Sequence, residues 1–177
     1  MNRGFTPVDN LGGGNCVFIS LAELVFGDAN RFELMRYMIV HRLRSFPEKY
    51  FKNTTEFPNY CNNMLIPGKP ASQKEIQAAS DIFFAVIECY STQDPTAPAN
   101  TIWPLRLSTV SPEHINTLRI WTQGTHCVAL VDNKSHPLVI NIFEVDGNEQ
   151  KKWESGFVES GKVSKLGCKH VGYKWSI

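Results

Sequence analysis

Two kinds of hydrophobic pattern occur in this chain, and their order constrains the fold more than any other feature. Apolar residues recur at helical spacing in the first half, which predicts helices over about residues 16–26, 30–46 and 72–84. Runs typical of strands follow, namely AVIECYS, TLRIWT, HCVALVD and LVINIFEVD. This order predicts an α+β domain in which N-terminal helices pack on a small, mainly antiparallel sheet.

Local start and stop signals bound these elements. Gly27 follows the first helix, as a C-terminal glycine commonly does. Asn30 with Glu33, and Ser72 with Glu75, have the spacing of a capping box and open the second and third helices. The proline-rich stretch STQDPTAPANTIWP is predicted to be a surface loop, and NKSHP is predicted to join the last two strands as an antiparallel hairpin.

Composition limits the classes of partner. The chain has 177 residues, 42% hydrophobic and 20% charged, with a formal net charge of +1. This profile predicts one monomeric domain over residues 1–177, in which the lysine-rich residues 147–177 form a C-terminal extension that either packs on the sheet or lies outside the fold. We expect no nucleic acid partner, because no interleaved aromatic and arginine residues accompany the lysines. No apolar run has the length of a membrane span or a signal peptide, so we expect no membrane contact and a cytoplasmic location.

The five cysteines are odd in number and widely spaced, at positions 16, 61, 89, 127 and 168. No CxxC pair is present, which argues against a zinc site, so no metal is predicted. A scattered, odd set is typical of reduced thiols in the cytosol, where one of them can be catalytic.

Cys16 stands where a cysteine gains nucleophilic character. It opens the first predicted helix, and the positive end of the helix dipole favours the thiolate there. Glycines 12–14 precede it and let the backbone turn sharply, so that the N–H groups of Gly13, Gly14 and Cys16 could form an oxyanion hole. A buried structural cysteine beside a flexible turn explains the same local pattern equally well.

His126 is the histidine that we predict to be the general base for Cys16. It opens an apolar strand after the turn sequence QGT, so the sheet edge would fix the ring while leaving it free to face a cleft. The other histidines are interpreted as surface or packing residues: His41, His114, His136 and His170.

Three blocks of the sequence resemble the ovarian-tumour (OTU) family of cysteine proteases. GGGNCVFISLAELV is similar to the family's cysteine box, and LRIWTQGTHCVAL to its histidine box. MLIPGKPASQKEIQAASDIFFAVIECYS resembles the block between them, a Pro-Gly turn followed by an amphipathic helix and a strand. The blocks occur in family order over about residues 8–131, and the first and last resemble the compact OTU proteases of viral polyproteins.

The resemblance implies a papain-like OTU fold and a thiol hydrolase that removes ubiquitin or a ubiquitin-like modifier from conjugates. Cys16 would attack the carbonyl of the modifier's C-terminal glycine, and His126 would take the thiol proton and pass it to the leaving lysine amine. Neither a metal nor an organic cofactor is implied. Trp103 and Trp121 would guide the modifier's tail in the cleft, although simple packing explains both tryptophans as well.

Two departures from the family pattern concern the catalytic residues. Gly13 replaces the aspartate that usually lies three residues before the cysteine, and Val128 replaces the Asn or Asp that usually orients the imidazole. The orienting group would then come from Asp132, Asn141 or Asp9. The departures leave two alternative functions open: a catalytically impaired OTU-fold module that binds ubiquitin, and a papain-like protease that processes its own polyprotein.

Overall fold

The computed structural model describes residues 4–92, 96–105 and 115–132. All of them belong to Met1–Leu138, the first of the two units into which the chain divides. The predicted strand LVINIFEVD, its hairpin with HCVALVD and the extension 147–177 lie outside the described residues. None of the described helices combines the length and the hydrophobicity that crossing a membrane requires.

The described residues form five α-helices, and the first and fifth follow the sequence prediction. The helices are α1 Cys16–Phe26, α2 Phe32–Ser45, α3 Pro47–Tyr50, α4 Phe57–Met64 and α5 Gln73–Phe83. Helix α1 ends at Gly27, whose φ of 64° is left-handed and suits glycine. Helix α5 opens with the predicted capping box, since Glu75 accepts a hydrogen bond from the Ser72 N–H at 2.6 Å.

The start of α2 differs from the prediction. Asp28 accepts a hydrogen bond from the Asn30 N–H at 3.0 Å and begins a 3₁₀ turn, Ala29–Arg31. The helix therefore starts at Phe32, and the predicted capping box of Asn30 and Glu33 is wrong. An aspartate that accepts a hydrogen bond from the N–H two residues later stabilises a turn before the helix. Here that turn forms in place of the predicted capping box.

Within the described residues, five strands form one sheet in the order β1-β5-β4-β2-β3. Their bounds are β1 Phe5–Val8, β2 Ala85–Ser91, β3 Asn100–Ile102, β4 Asn116–Gln123 and β5 His126–Asp132. β2 and β4 pair in parallel, and the other three pairs are antiparallel. The prediction of an α+β domain with a mainly antiparallel sheet is confirmed.

The two edge strands were not predicted. β1 contains Pro7, which usually argues against a strand but is tolerated at an edge. β3 lies inside the proline-rich stretch that was predicted to be a loop, and that part of the prediction is wrong. Short edge strands form because a neighbour offers its backbone, so their own sequences carry little signal.

The central strands bury one face almost completely. Ile87 lies opposite Leu118, and Ile120 lies opposite Ala129, so the four side chains share this face. Each of them has at most 1% of its surface exposed. The strand that carries His126 is thus held between β1 and β4, and its first residue has a fixed position relative to α1, which packs on β5.

We predict that Glu75 contributes strongly to stability through the junction of α4 and α5. Its side chain is fully buried and accepts hydrogen bonds from the Ser72 N–H and from the Tyr60 hydroxyl, the latter at 2.8 Å. Glu75→Ala removes the glutamate half of the capping box and leaves two part-buried donors without this acceptor. The free energy of unfolding should therefore fall by about 2–4 kcal/mol in urea denaturation.

Glu56→Ala is the matched control, because Glu56 is exposed at the N-cap of α4 and its side chain makes no capping bond. It should change the free energy of unfolding by less than about 0.5 kcal/mol. If the free energy of unfolding fell equally in the two variants, the proposed stabilising role of Glu75 would be wrong.

Candidate active site

The fold brings the Cys16 thiol beside the turn that carries His126. Cys16 is the first residue of α1 and only 5% of its surface is exposed. Its Sγ lies 3.8 Å from the carbonyl oxygen of Thr125, to which the thiol can donate, although the two residues are 109 positions apart. Since Thr125 immediately precedes His126, the sulfur lies beside the turn that leads into His126 at the start of β5.

The imidazole of His126 lies between Asp9 and the glycine loop. Its Nε2 is 3.3 Å from Oδ1 of Asp9. A Cβ atom added to Gly12 would lie 3.2 Å from the Nδ1 atom of the ring, so this nitrogen faces the loop that leads to Cys16. With Nε2 directed at the carboxylate, Nδ1 is the nitrogen left to exchange a proton with the thiol.

Asp9 is the one orienting candidate that the structure brings to His126. The Asn10 N–H donates to its Oδ1 at 2.9 Å, and this bond, followed by the bond to His126, lowers the pKa of the carboxyl below its ordinary value. Asp132 ends β5 opposite Phe5. Six residues of strand at about 3.3 Å each put it roughly 20 Å from His126, so it does not orient the ring. Asn141 lies outside the described residues.

The glycine loop approaches other main chain closely. Gly12, Gly13 and Gly14 have φ values of 68°, 65° and 78°, all in the left-handed region. A Cβ atom on Gly14 would collide with the carbonyl group of Gly68, whereas Gly13 is exposed with open space around it. The predicted oxyanion residues Gly13, Gly14 and Cys16 thus form a tight backbone turn that enters α1.

Asn10, which was not predicted from the sequence, ties this loop to the sheet. The Asn10 side-chain amide donates to the carbonyl of Cys127 at 2.8 Å, and its oxygen accepts from the Gly12 N–H at 3.0 Å. The side-chain nitrogen also lies 3.3 Å from the Ser20 hydroxyl. An asparagine two residues before a glycine run is a common turn former, so its sequence context carried no specific signal.

Arg36 is a second residue near the site that was not predicted from the sequence. Only 3% of its surface is exposed, and its guanidinium contacts the segment that enters α1. A signal was present, because Arg36 falls on the same helical stripe as Phe32, Ile39 and Leu43. A charged residue in an otherwise apolar stripe indicates a buried polar partner.

The other described cysteines are poor nucleophiles. Burial raises the pKa of the Cys127 thiol to about 12 and that of Cys89 to about 11, and it also raises the pKa of Cys61. These thiols therefore stay protonated at neutral pH. Within residues 4–92, 96–105 and 115–132, no group of three or more His, Cys, Asp or Glu side chains could hold a metal ion.

The two tryptophans lie in different parts of the sheet. Trp121 pairs with Val128, two residues from His126, and is half-buried. Trp103 follows β3, 44% exposed, and its carbonyl accepts a hydrogen bond from Gln77 of α5. Because β2 and β4 separate β3 from β5, the structure does not bring Trp103 beside His126.

Comparison with known proteins finds two curated relatives that are named as OTU-domain enzymes. No family model matches the chain. It is 34% identical over 80 residues to OVARIAN TUMOR DOMAIN-containing deubiquitinating enzyme 10 of Arabidopsis thaliana, which covers 45% of this chain and 22% of that protein. It is 28% identical over 126 residues to enzyme 6 of the same series from that plant, covering 66% of this chain and 25% of that protein. The chain thus spans about a quarter of the length of the curated relatives it matches.

Solved structures give the fold. An OTU domain in complex with ubiquitin superposes with a TM-score of 0.60 at 13% identity, covering 94% of this chain and 90% of that one. The viral OTU domain protease of Taggert virus gives 0.56 at 14% identity, covering 75% of this chain and 83% of that one. The chain therefore has the fold of an OTU domain. Part of its sequence is similar to two plant proteins that are named as OTU-domain deubiquitinating enzymes.

Proposed function

We propose that this domain is a cysteine deubiquitinase that hydrolyses the bond between the C-terminus of ubiquitin, or of a ubiquitin-like modifier, and its conjugate. The observation that carries the proposal is the meeting of the Cys16 thiol, at the start of α1, with the turn that leads into His126. The sequence relatives are named as deubiquitinating enzymes, and one structural neighbour was solved in complex with ubiquitin. Both facts favour this substrate class.

The proposed reaction uses the chain's own residues in two steps. His126 takes the thiol proton through Nδ1, and the thiolate of Cys16 attacks the carbonyl carbon of the modifier's last glycine. Backbone N–H groups of the glycine loop and of Cys16 stabilise the oxyanion, and His126 returns the proton to the leaving amine. Water, deprotonated by His126, then cleaves the thioester and frees the thiol. Asp9 stabilises the imidazolium that forms in each step.

A ubiquitin carrying an electrophilic C-terminus tests the nucleophile directly. We expect the probe to form a covalent adduct with the chain, visible as a mass increase, and the adduct to vanish in Cys16→Ala. Cys89→Ala is the control, because burial raises the pKa of that thiol and it should not compete for the probe. Binding without labelling would instead favour a ubiquitin-binding module. Absence of both, with cleavage of a flanking junction, would favour a protease that acts on its own polyprotein.

Replacing His126 should lower turnover without weakening the binding of ubiquitin. His126→Ala should lower kcat by about 10²–10⁴-fold on a fluorogenic ubiquitin C-terminal amide, because the base acts in the chemical step. The affinity for ubiquitin, measured by titration in the Cys16→Ala background, should be retained. His41→Ala, in α2 and stacked near Tyr37, should leave kcat unchanged. Equal turnover in both variants would remove His126 from the mechanism.

The contribution of Asp9 should be modest and independent of pH. Its carboxyl has a lowered pKa, so it is ionised throughout the neutral range and contributes its charge until the pH falls below its ordinary value of 3.8. Since the side chain is 92% exposed, solvent screens the interaction. Asp9→Asn should therefore lower kcat/KM by about 3- to 10-fold, by the same factor from about pH 6 to pH 9.

Asp132→Asn is the control for Asp9, since it removes the same charge at the far end of β5. It should leave kcat/KM unaffected. A loss in the Asp9 variant that appears only on the acidic side, or equal losses in the two variants, would exclude Asp9 as the orienting group.

A further inference from the structure

We propose that Arg36 is a positioning residue for the oxyanion-binding backbone. By holding the side chain of Asn15 away from the start of α1, it keeps the first N–H groups of that helix free to bind the oxyanion. The inference deepens the proposed function and rests on it for its catalytic part.

The guanidinium of Arg36 joins the cysteine loop to the turn after α4. Its Nη2 donates to Oδ1 of Asn15 at 2.7 Å and to the carbonyl of Lys69 at 2.9 Å, and lies 3.4 Å from the Gly14 carbonyl. Its Nη1 donates to the carbonyl of Met64 at 2.8 Å. One planar cation thus holds three chain segments together, which the fork geometry of arginine allows and a lysine ammonium does not reproduce.

A second contact orients the cation. The guanidinium carbon lies 3.9 Å from the centre of the Phe18 ring, in the first turn of α1. Burial lowers the pKa of Arg36 to about 10, and the nearby charges of Glu75 and Glu33 oppose that shift. The group is therefore still charged at neutral pH and remains a strong donor.

Asn15 does not cap α1 as an asparagine at this position usually does. Asparagine at a helix N-cap normally accepts a hydrogen bond from the second or third N–H group of the helix, here that of Val17 or Phe18. Asn15 makes no such bond. Its Oδ1 instead accepts from Arg36 and from the Gly68 N–H, the latter at 2.9 Å.

The first turn of α1 therefore keeps its donors. The N–H groups of Cys16, Val17 and Phe18 have no acceptor within the helix, because an α-helix leaves its first N–H groups unpaired. They point toward the helix N-terminus, where Cys16 stands, and their partial positive charge suits an oxyanion on a substrate carbonyl. Asn15 now has a helical backbone conformation, with φ −99° and ψ −6°. Without Arg36 its side chain would be released, the residue would be able to adopt the extended conformation of a capping asparagine, and the cap would compete with the substrate for these N–H groups.

Arg36→Lys tests this role, because it keeps the charge and removes the fork. On the fluorogenic ubiquitin amide we expect kcat to fall about 10- to 100-fold with KM little changed, as for the loss of oxyanion stabilisation. Alkylation of Cys16 by iodoacetamide should change by less than about 3-fold, since that displacement forms no oxyanion. An equal loss in both reactions, or an unchanged kcat, would overturn the proposal.

Arg42→Lys is the matched control. Arg42 lies on the same helix, stacks at 4.2 Å on the ring of Phe46 and donates to the Tyr50 hydroxyl at 3.0 Å. Its ring contact and its hydrogen bond are comparable to those of Arg36 but are made away from the cysteine loop, so kcat should stay at the wild-type value. If Arg36→Lys does not fold, as judged by its thermal melting, Arg36→Met keeps the volume against Phe18 and carries the same expectations.

Hydrogen exchange at the start of α1 tests whether Arg36 controls the Asn15 side chain, and it requires no activity toward ubiquitin. In Arg36→Lys the freed Asn15 should cap α1, so NMR hydrogen exchange of the Val17 and Phe18 amides should become slower even as global stability falls. Faster or unchanged exchange would overturn the proposal. Should the wild-type chain fail to react with ubiquitin substrates, the proposed function falls, and the exchange result still determines whether Arg36 controls the Asn15 side chain.

Discussion

Close contact between backbone segments, without side chains between them, is the constraint on which the candidate site depends. Gly14 lies against the carbonyl of Gly68, and Gly12 lies against the ring of His126. Any side chain at position 14 would push the two segments apart, and the left-handed φ values of the loop favour glycine independently. The start of α1, the turn after α4 and the start of β5 can therefore converge on one small volume around the Cys16 sulfur.

Asp9 lies beside the imidazole although it does not stand two residues after the histidine, where the OTU pattern usually has Asn or Asp. Val128 is 5% exposed and lies opposite Trp121, so a polar side chain there would need a buried partner. Asp9 instead reaches the imidazole from the loop before α1. Its neighbour Asn10 is bonded to the carbonyl of Cys127, which fixes the distance between that loop and β5. The half-buried amide of Asn10 thus fixes the position of the loop, and the exposed carboxylate of Asp9 contributes only its charge.

The sequence predicted those parts of the molecule whose signals are local. Gly27 ends α1, the Ser72 capping box opens α5, and continuous apolar runs mark β2 and β5, because each depends on neighbouring residues. The order of three sequence blocks predicted that Cys16 pairs with His126, and the structure places the Cys16 sulfur 3.8 Å from the carbonyl oxygen of the residue before His126. The edge strands and the roles of Asn10 and Arg36 were not predicted, because they depend on residues distant along the chain. The start of α2 also depends on neighbouring residues. Asp28 and Asn30 can both accept hydrogen bonds from nearby backbone N–H groups, and their spacing alone does not show which of them does so.

The energetics of the cysteine loop also favour an active site over a structural thiol. An uncapped helix start forgoes roughly 1 kcal/mol, and burying the guanidinium of Arg36 disfavours its charged form, as its lowered pKa indicates. Three adjacent residues in left-handed conformation add the entropic cost of ordering glycine. A buried structural cysteine gains nothing from any of these, since a capped helix with an apolar residue at position 36 would pack it at least as well. These features destabilise the region around one thiol and leave the first N–H groups of α1 uncapped. Such a combination is expected where the backbone must bind a negative charge on a substrate.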